Sequence, residues 1–390
     1  MSEISDMIQR LCPDGVEYRK LGEVCSVVSA PKKIDKGDYQ SSGMIPIVDQ
    51  GKKLVIGYTN DCYATVPKGC YVIFGDHTRE IKYVDFDFAQ GADGVKILKA
   101  NNHVDIRYLF HAMTNLTIPS RGYNRHWTIA RDLEIPVPPL EVQRKIVEVL
   151  DNFSELTAEL TAELEARKKQ YEYYRDNLLN FNRGQVDEAC FSDICSYTRG
   201  VTYNRGKEVL SGNDGWKVLR ANNISLSTNT LNFDDIKVID WSVKVNDQQS
   251  LTKGDIIICA GSGSKEHVGK VAYINDDMDG FTFGGFMAVI RVKQNAMSKY
   301  VFQVLKSRLF KDYLAYAIDS STINNLNSSI MNGFTFPLPS LAEQNKIVSI
   351  LEEFDTLAND LTSGLPAEIK ARQQQYEYYR DQLLTFKRAN

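Results

Sequence analysis

Short polar loops in two separate parts of the chain hold the side chains whose types and spacing could do chemistry. They combine Arg, Lys, Asn, Ser and His with glycine, which lets the backbone come close to a ligand. Arginine and lysine neutralise phosphate, and arginine and asparagine can also read guanine and adenine in the major groove of DNA. The candidates for DNA contact in the first part are Asp76, His77, Thr78, Arg79, Arg121, Tyr123, Asn124, Arg125 and His126. Those in the second part are Arg199, Asn204, Arg205, Arg220, Asn222, Asn223, Ser262, Ser264, Lys265, His267, Lys270, Asn324 and Asn325.

Patterns typical of a catalytic site are missing from the sequence. Residues 263–270 resemble a phosphate-binding loop, but its spacing is one residue too long and Val271 replaces the required Ser or Thr. Residues 137–140 lack the amide and the aromatic of an adenine-methyltransferase box, and residues 80–82 are a bare Glu-x-Lys. The five histidines form no metal-binding or triad-like pattern. We therefore expect no catalytic residue, no metal site and no cofactor in this chain.

The charge balance neither supports nor excludes a nucleic-acid partner. The whole chain has a formal net charge of −4, while residues 1–135 carry 17 basic and 17 acidic side chains and residues 185–335 carry 16 of each. A neutral domain can still bind DNA if its cations share one face, because affinity follows local phosphate neutralisation. The evidence must therefore come from the organisation of the chain.

An internal repeat provides that organisation. The Pro-rich residues 135–140 are echoed by residues 336–341, and a Lys-Ile-Val…Leu…Phe run follows in both copies. The sequence Tyr-Glu-Tyr-Tyr-Arg-Asp at 171–176, which we call the first tyrosine box, recurs letter for letter at 376–381 as the second tyrosine box. Such identity indicates two copies of one structural element.

Each copy has the pattern of a long amphipathic helix. Apolar residues recur at steps of three and four, so they form one stripe, and about 40 residues would span roughly 60 Å. On an isolated helix the apolar stripe would be exposed to solvent, so we expect the two helices to pair antiparallel. We expect the second helix to be kinked or interrupted near residues 363–366. The predicted core residues of this spacer are Leu150, Phe153, Leu160, Leu164, Tyr171, Tyr174, Leu351, Phe354, Leu361, Tyr376 and Tyr379.

Two mixed segments precede the helices and hold the polar loops. Both contain short β-like runs, such as residues 69–74 and 255–259, and each ends in a helix-like stretch, at 106–114 and 300–316. Within the loops, Tyr203 and Trp127 are better interpreted as packing residues than as base stackers. The expected fold is α+β, with two mixed α/β domains separated by a long antiparallel helical coiled coil in a pseudo-twofold repeat. The predicted boundaries are 1–139, 140–183, 184–339 and 340–390.

This order of domain, helix, domain and helix resembles the specificity subunit of type I restriction–modification enzymes, over the whole chain. The Pro-rich helix entry, the tyrosine boxes and the tandem Thr-Ala-Glu-Leu at 157–160 and 161–164 resemble the subgroup with tetrapeptide-repeat spacers. The resemblance implies that each domain is a target recognition domain, reading one half of a bipartite target in double-stranded DNA. It also implies that the helices set the unread spacer.

The same resemblance implies the partners. Two methyltransferase (modification) subunits would dock on the helices, and restriction/translocase subunits would join them to cleave. S-adenosylmethionine, ATP and magnesium are expected on those partners, so that the holoenzyme would be an adenine-N6 DNA methyltransferase and ATP-dependent endonuclease, with this chain non-catalytic.

Two other classes of function stay open at the sequence level. One is an enzyme whose site is built from non-contiguous residues, and the other is a helical scaffold that joins proteins without reading bases. The seven scattered cysteines predict reduced, mostly buried thiols rather than a metal or disulfide framework. With no apolar run long enough for a membrane span, we expect a cytoplasmic protein without membrane contact.

Overall fold

A computed structural model describes residues 2–91, 93–182, 184–209, 214–226, 228–293, 295–319, 325–359 and 364–389. It divides into two compact units. Unit 1 comprises residues 1–161 and 369–390, and unit 2 comprises residues 162–368. Each unit therefore contains one mixed segment and parts of both repeat copies, so the division falls inside the repeated helices.

Unit 1 is a mixed α/β fold with three small sheets. Its strands are β1 (Tyr18–Lys20), β2 (Cys25–Val28), β3 (Ile45–Val48), β4 (Gly57–Thr59), β5 (Tyr71–Gly75), β6 (Ile81–Val84), β7 (Ala89–Gln90), β8 (Val95–Ala100) and β9 (Glu134–Pro136). Its helices are α1 (Ser2–Leu11), α2 (Leu21–Val24), α3 (Ile106–Thr114) and α4 (Trp127–Ala130), with the first part of α5 (Leu140–Leu178) and the last part of α11 (Leu365–Leu383).

Unit 2 repeats this plan with additions. Its strands are β10 (Asp187–Cys190), β11 (Cys195–Arg199), β12 (Glu208–Val209), β13 (Trp216–Leu219), β14 (Lys237–Ile239), β15 (Ile256–Cys259), β16 (Val271–Tyr273), β17 (Phe281–Phe283), β18 (Met287–Val292) and β19 (Thr335–Leu338). Its helices are α6 (Phe191–Ile194), α7 (Ser298–Lys306), α8 (Arg308–Asp319), α9 (Ser328–Asn332) and α10 (Leu341–Asn359), with the last part of α5.

The strand orders show that the two units share one topology. A four-stranded antiparallel sheet has the order β2-β8-β5-β6 in unit 1 and β11-β18-β15-β16 in unit 2. Beside it, β4-β3-β7 in unit 1 corresponds to β14-β13-β17 in unit 2, which adds β12 at its edge. A two-stranded ladder, β1-β9 or β10-β19, leads into the long helix of each copy. The repeat predicted from the helices thus extends through the diverged domains.

In unit 1, α5 and α11 pack antiparallel. The rings of Phe153 and Tyr379 stack with their centroids 5.1 Å apart. The chain beyond α11 returns to the strand that precedes α5, where Arg388 pairs with Glu134 at 2.5 Å. Leu150 is fully buried in the core that these helices share with the sheet. Tyr376 and Tyr379 are half-buried against that core.

In unit 2, the last part of α5 packs antiparallel against α10. Tyr174 stacks on Phe354 at 5.5 Å, and the chain beyond α5 returns to pair Asp187 with Leu338, just before α10 begins. Tyr171 and Leu351 are buried in the core of this unit. In each unit, a tyrosine box of one copy therefore packs against the first turns of the other copy.

Other predicted spacer residues have mixed outcomes. Leu164 is buried and Leu160 is half-buried, whereas Tyr174 keeps 40% of its surface exposed. Leu361 lies outside the described residues. The predicted interruption of the second copy agrees with the described Gly364, which is non-helical and directly precedes α11; residues 360–363 lie outside the described residues.

The start of each long helix is fixed by a buried glutamine. Gln143 donates from Nε2 to the Pro138 carbonyl at 2.7 Å, and its Oε1 accepts from the Asp105 backbone N–H at 2.8 Å, just before α3. Gln344 makes the same pair of bonds to Pro339 and Met297. Each glutamine therefore ties a long helix to a helix of its own domain, which sets the entry angle of both.

Candidate nucleic-acid interface

The loops of unit 2 meet at a cavity at one end of its sheets. The cavity has a volume of about 640 Å³, and four chain segments line it. Three of them were predicted from the sequence, around residues 203–205, 220–222 and 261–263, and the fourth, Gly284–Met287, was not. The tertiary fold therefore joins distant polar loops into one surface, with Arg205, Arg220, Asn222 and Ser262 among its side chains.

The guanidinium of Arg199 connects the loops that form this surface. Its Nη1 donates to the carbonyl of Leu326 at 3.1 Å and to Oδ1 of Asn325 at 3.0 Å, and its Nη2 donates to the carbonyl of Gly285 at 2.7 Å. A weaker bond of 3.4 Å reaches the carbonyl of Ala260. Since the guanidinium is occupied by the backbone of three loops, Arg199 positions the surface, whereas Asn325 is exposed and its contact with DNA stays a prediction.

Two further predicted contacts of unit 2 are buried. Asn223 is fully buried, and its Nδ2 donates to the carbonyls of Asn232 and Asp235. Lys270 is 9% exposed and donates to the carbonyl of Ile224 at 2.8 Å, while burial lowers the pKa of its amine. Their bonds satisfy backbone carbonyls of the loop that carries residues 220–235, so their effect on DNA is indirect.

The exposed candidates of unit 2 differ in how they are engaged. Arg220 pairs with Asp235 at 2.8 Å, and Asn222 donates to the same carboxylate at 3.0 Å. Asn204 caps the one-turn helix that begins at Arg205, whose guanidinium makes no hydrogen bond within the described part of the chain. Ser264 is exposed, Ser262 and His267 are half-buried, and the side chain of Lys265 and all of Asn324 lie outside what the structure describes.

In unit 1 the equivalent position is organised by Asp76 and His126, which are 1% and 0% exposed. The Trp127 backbone donates to Oδ1 of Asp76 at 2.7 Å, and the His126 backbone donates to the Asp76 carbonyl at 2.8 Å. The His126 ring makes two further hydrogen bonds. Its Nδ1 bonds to the Asp76 carbonyl, and its Nε2 accepts from the Arg121 backbone N–H. Both were predicted to contact DNA, but their burial makes them supports for the loop at 121–125 instead.

That loop presents its side chains to solvent. Arg121, Tyr123, Asn124 and Arg125 are exposed, and the ring of Tyr123 stacks on His77 at 4.6 Å. These are the predicted residues that unit 1 places where a ligand could reach them.

The turn at residues 75–79 is tied down more closely than predicted. Arg79 has a positive φ of 65° and donates from Nη1 to the Ile118 carbonyl at 3.0 Å. Thr78 donates to the Gln50 carbonyl at 2.5 Å. Both remain exposed, so they combine a structural role with access to solvent.

A cavity of about 240 Å³ in unit 1 occupies the place of the larger cavity of unit 2. Arg125, Lys33 and Lys96 line it, and sequence reasoning missed the two lysines because they lie outside the glycine-rich loops. Lys33 bonds to Asp93, and this bond together with the nearby charge of Arg125 lowers the pKa of the carboxyl. Three cations and the two carboxylates of Asp76 and Asp93 therefore meet at this cavity, where each lysine lies beside one carboxylate.

No metal centre is found in the described residues, among which no group of three His, Cys, Asp or Glu side chains is placed to hold an ion. All seven cysteines are free, but the prediction that most are buried is wrong. Cys25, Cys195 and Cys259 are buried, Cys12 is half-buried, and Cys62, Cys70 and Cys190 are exposed. Among the described helices, none is long and apolar enough to cross a membrane.

A family model for the type I restriction modification DNA specificity domain matches residues 13–167 and again residues 185–371. The chain belongs to the type I restriction–modification specificity family. This family member is 31% identical over 405 residues to the EcoR124I/EcoR124II specificity subunit of Escherichia coli, an alignment that covers 99% of this chain and 98% of the relative. It is 30% identical over 415 residues to the specificity protein S.HindORF215P of Haemophilus influenzae, with 95% and 96% coverage.

Two solved structures share the fold of this chain. The type I S subunit from M. genitalium superposes with a TM-score of 0.59 over 95% of this specificity-family chain and 96% of that one. A chain from a structural study of type I complex assembly gives 0.56 over 95% and 97%. Because the sequence identities are 14% and 17%, these two matches support the fold alone. The α+β prediction is confirmed.

Proposed function

We propose that this chain selects the DNA sequence for a type I restriction–modification complex and performs no chemistry itself. Unit 1 would read one half of a bipartite target and unit 2 the other. Family membership over nearly the whole chain supports sequence-specific DNA recognition. The assignment of one half-site to each unit follows from their shared topology.

One observation carries this proposal. Both units build a loop surface on the same backbone frame, and the two surfaces differ in the side chains they present. The Asp76 backbone N–H donates to the Gly94 carbonyl in unit 1, and the Ala260 N–H donates to the Phe286 carbonyl at the same position of unit 2. A constant frame with different exposed Arg, Asn and aromatic side chains is what two modules need to read two different sequences.

The partners that we propose are two methyltransferase subunits, with restriction/translocase subunits joining them. Within each tyrosine box, the first tyrosine is buried or half-buried while the second is exposed, since Tyr173 and Tyr378 keep 66% and 61% of their surface. These two exposed tyrosines hold equivalent positions in the repeat, so the same partner surface could dock twice. S-adenosylmethionine, ATP and magnesium would bind to those partners, and the tandem Thr-Ala-Glu-Leu would act as the spacer of its subgroup.

Mapping of methylated adenines in DNA from cells that carry the full system tests the proposal. We expect one bipartite motif whose two halves are separated by unread base pairs. Deleting this chain should abolish the motif, and transferring it to a related system should transfer the motif. Methylation that persists unchanged without the chain would refute the proposal.

A helical scaffold that never reads bases is the second candidate function. It is distinguished by DNA binding of the assembled complex, which should depend on sequence if the chain is a reader. We also expect the isolated chain to bind DNA weakly at physiological salt, because the basic side chains of its domains are balanced by equal numbers of acidic ones, which limits phosphate neutralisation.

A further inference from the structure

Phe286 is an exposed aromatic residue in the loop surface of unit 2. Its side chain is 72% exposed, although it lines the same cavity as Arg205, Arg220 and Asn222. A large apolar ring in contact with water gives the fold no burial energy, so its position needs another explanation.

The backbone under Phe286 is held firmly. Its carbonyl accepts hydrogen bonds from the backbone N–H groups of Ala260 and Gly261, at 2.8 and 3.0 Å. The preceding carbonyl, of Gly285, accepts from Arg199 at 2.7 Å. The ring therefore projects from a fixed platform, which limits the entropy lost when it is placed against a ligand.

Unit 1 puts aromatic rings at the same place by a different route. Gly94, with φ of +84°, occupies the position of Phe286, and a Cβ built on it would lie 2.5 Å from Cδ2 of His77. The space above Gly94 is thus taken by the His77 ring, which stacks on the exposed ring of Tyr123. Two units with little sequence in common in their loops present an aromatic group at one structural position.

We propose that Phe286 contacts the C5-methyl group of a thymine in the half-site that unit 2 reads. This inference rests on the proposed function and adds a specificity residue to it. Arg205 and Arg220 line the same cavity as Phe286, beside one carboxylate, Glu208, and Arg205 makes no hydrogen bond within the described residues, so this surface can accept a phosphate-bearing ligand. In the major groove, thymine alone among the four bases presents an apolar group, and a phenylalanine ring is a suitable partner for it.

The test uses the complete methyltransferase complex with duplexes whose half-sites come from the methylation map. We expect replacement of one thymine of the second half-site by deoxyuridine, which removes only the methyl group, to weaken binding by about tenfold. Phe286→Ala should weaken binding to the natural duplex by a similar factor. It should also make the complex indifferent to the deoxyuridine substitution, because the two changes remove the same contact.

Tyr316→Ala is the matched control, since Tyr316 is an 83% exposed ring on α8 of the same unit and does not line the cavity. It should keep the full response to deoxyuridine. A complex that binds specifically but ignores deoxyuridine at every thymine, or a second half-site without thymine in either strand, would overturn the inference and leave the proposed function intact. Binding of the unaltered complex without any sequence preference would instead overturn the proposed function.

Discussion

The hydroxyl of Tyr171 donates a hydrogen bond of 2.8 Å to Oε1 of Gln303, deep inside unit 2. In unit 1 the equivalent pair is Tyr376 and His111, whose hydroxyl oxygen and Nδ1 lie 3.1 Å apart. The first tyrosine of each box therefore forms a polar contact with a helix of its own unit, buried in unit 2 and half-buried in unit 1. The identity of the two boxes is explained by a packing requirement that both units share.

Tyr171→Phe should destabilise unit 2 by about 1–3 kcal/mol, because it leaves the buried Oε1 of Gln303 without its partner and removes one of the two hydrogen bonds of Lys306. The Tyr171 hydroxyl also accepts from Nζ of Lys306 at 3.0 Å, and Lys306 is 6% exposed. Urea unfolding of the purified chain measures the change. Tyr173→Phe is the control, since its ring is 66% exposed, and an equal effect of both variants would contradict the prediction.

Asp151 should make unit 1 sensitive to acid. Partial burial by itself would raise the pKa of its carboxyl, but hydrogen bonds from His111 and Arg107 outweigh burial, so the net shift is downward. A carboxyl with a lowered folded pKa stabilises the fold above its unfolded pKa of about 4, and this stabilisation is lost as the pH falls through the folded value.

The stability difference between the unaltered chain and Asp151→Asn should therefore be full at pH 6 and shrink below about pH 4. Thermal unfolding across this pH range measures it. Glu155→Gln, on an exposed position of the same helix, should show no such trend. A difference that stays constant down to pH 3 would exclude the ionised carboxylate as its origin.

We expect Arg199 to be a positioning residue and Arg205 to contact DNA directly. Arg199→Ala removes the bonds to three loops and should lower the free energy of unfolding by on the order of 2–3 kcal/mol as well as weakening DNA binding. Arg205→Ala should weaken binding of the complex and leave stability unchanged, because the guanidinium has no hydrogen bond in the described residues. Equal thermal stability of the two variants would contradict this division.

Arg125→Ala should alter only the half-site read by unit 1. A base-reading contact contributes roughly 1–3 kcal/mol of discrimination, so the motif should relax at one or two positions of that half. Methylation mapping measures it, with Arg205→Ala as the reciprocal variant. Equal loss in both halves would refute the modular reading.

One additional Thr-Ala-Glu-Leu unit after residue 164 should lengthen the unread spacer by one base pair. Four residues extend a helix by about 6 Å and rotate its end by about 40° beyond a full turn, and one base pair rotates the duplex by roughly 34–36°. The apolar stripe also keeps its face. Methylation mapping of the insertion variant should show both half-sites unchanged; an unaltered spacer would mean that the helix does not set it.

The sequence by itself determined the long helices, their interruption and the family. The apolar stripe repeats every three to four residues, and such a local pattern needs no tertiary information to be read. The helix predicted at 106–114 matches α3, and the run predicted at 255–259 overlaps β15. The tyrosine boxes could also be found from the sequence, because their six residues are identical in both copies.

Only the tertiary structure decided which polar residues face a ligand. Asp76, His126, Asn223 and Lys270 have the residue types of a DNA contact, yet each is buried against backbone that comes from elsewhere in the chain. Conversely, Phe286 carries no polar signal, and only the folded chain shows that it lines the cavity. The burial of a side chain and its hydrogen-bond partners depend on contacts between residues far apart in sequence. Loop composition therefore predicts which loops form a surface, but not which of their side chains are exposed.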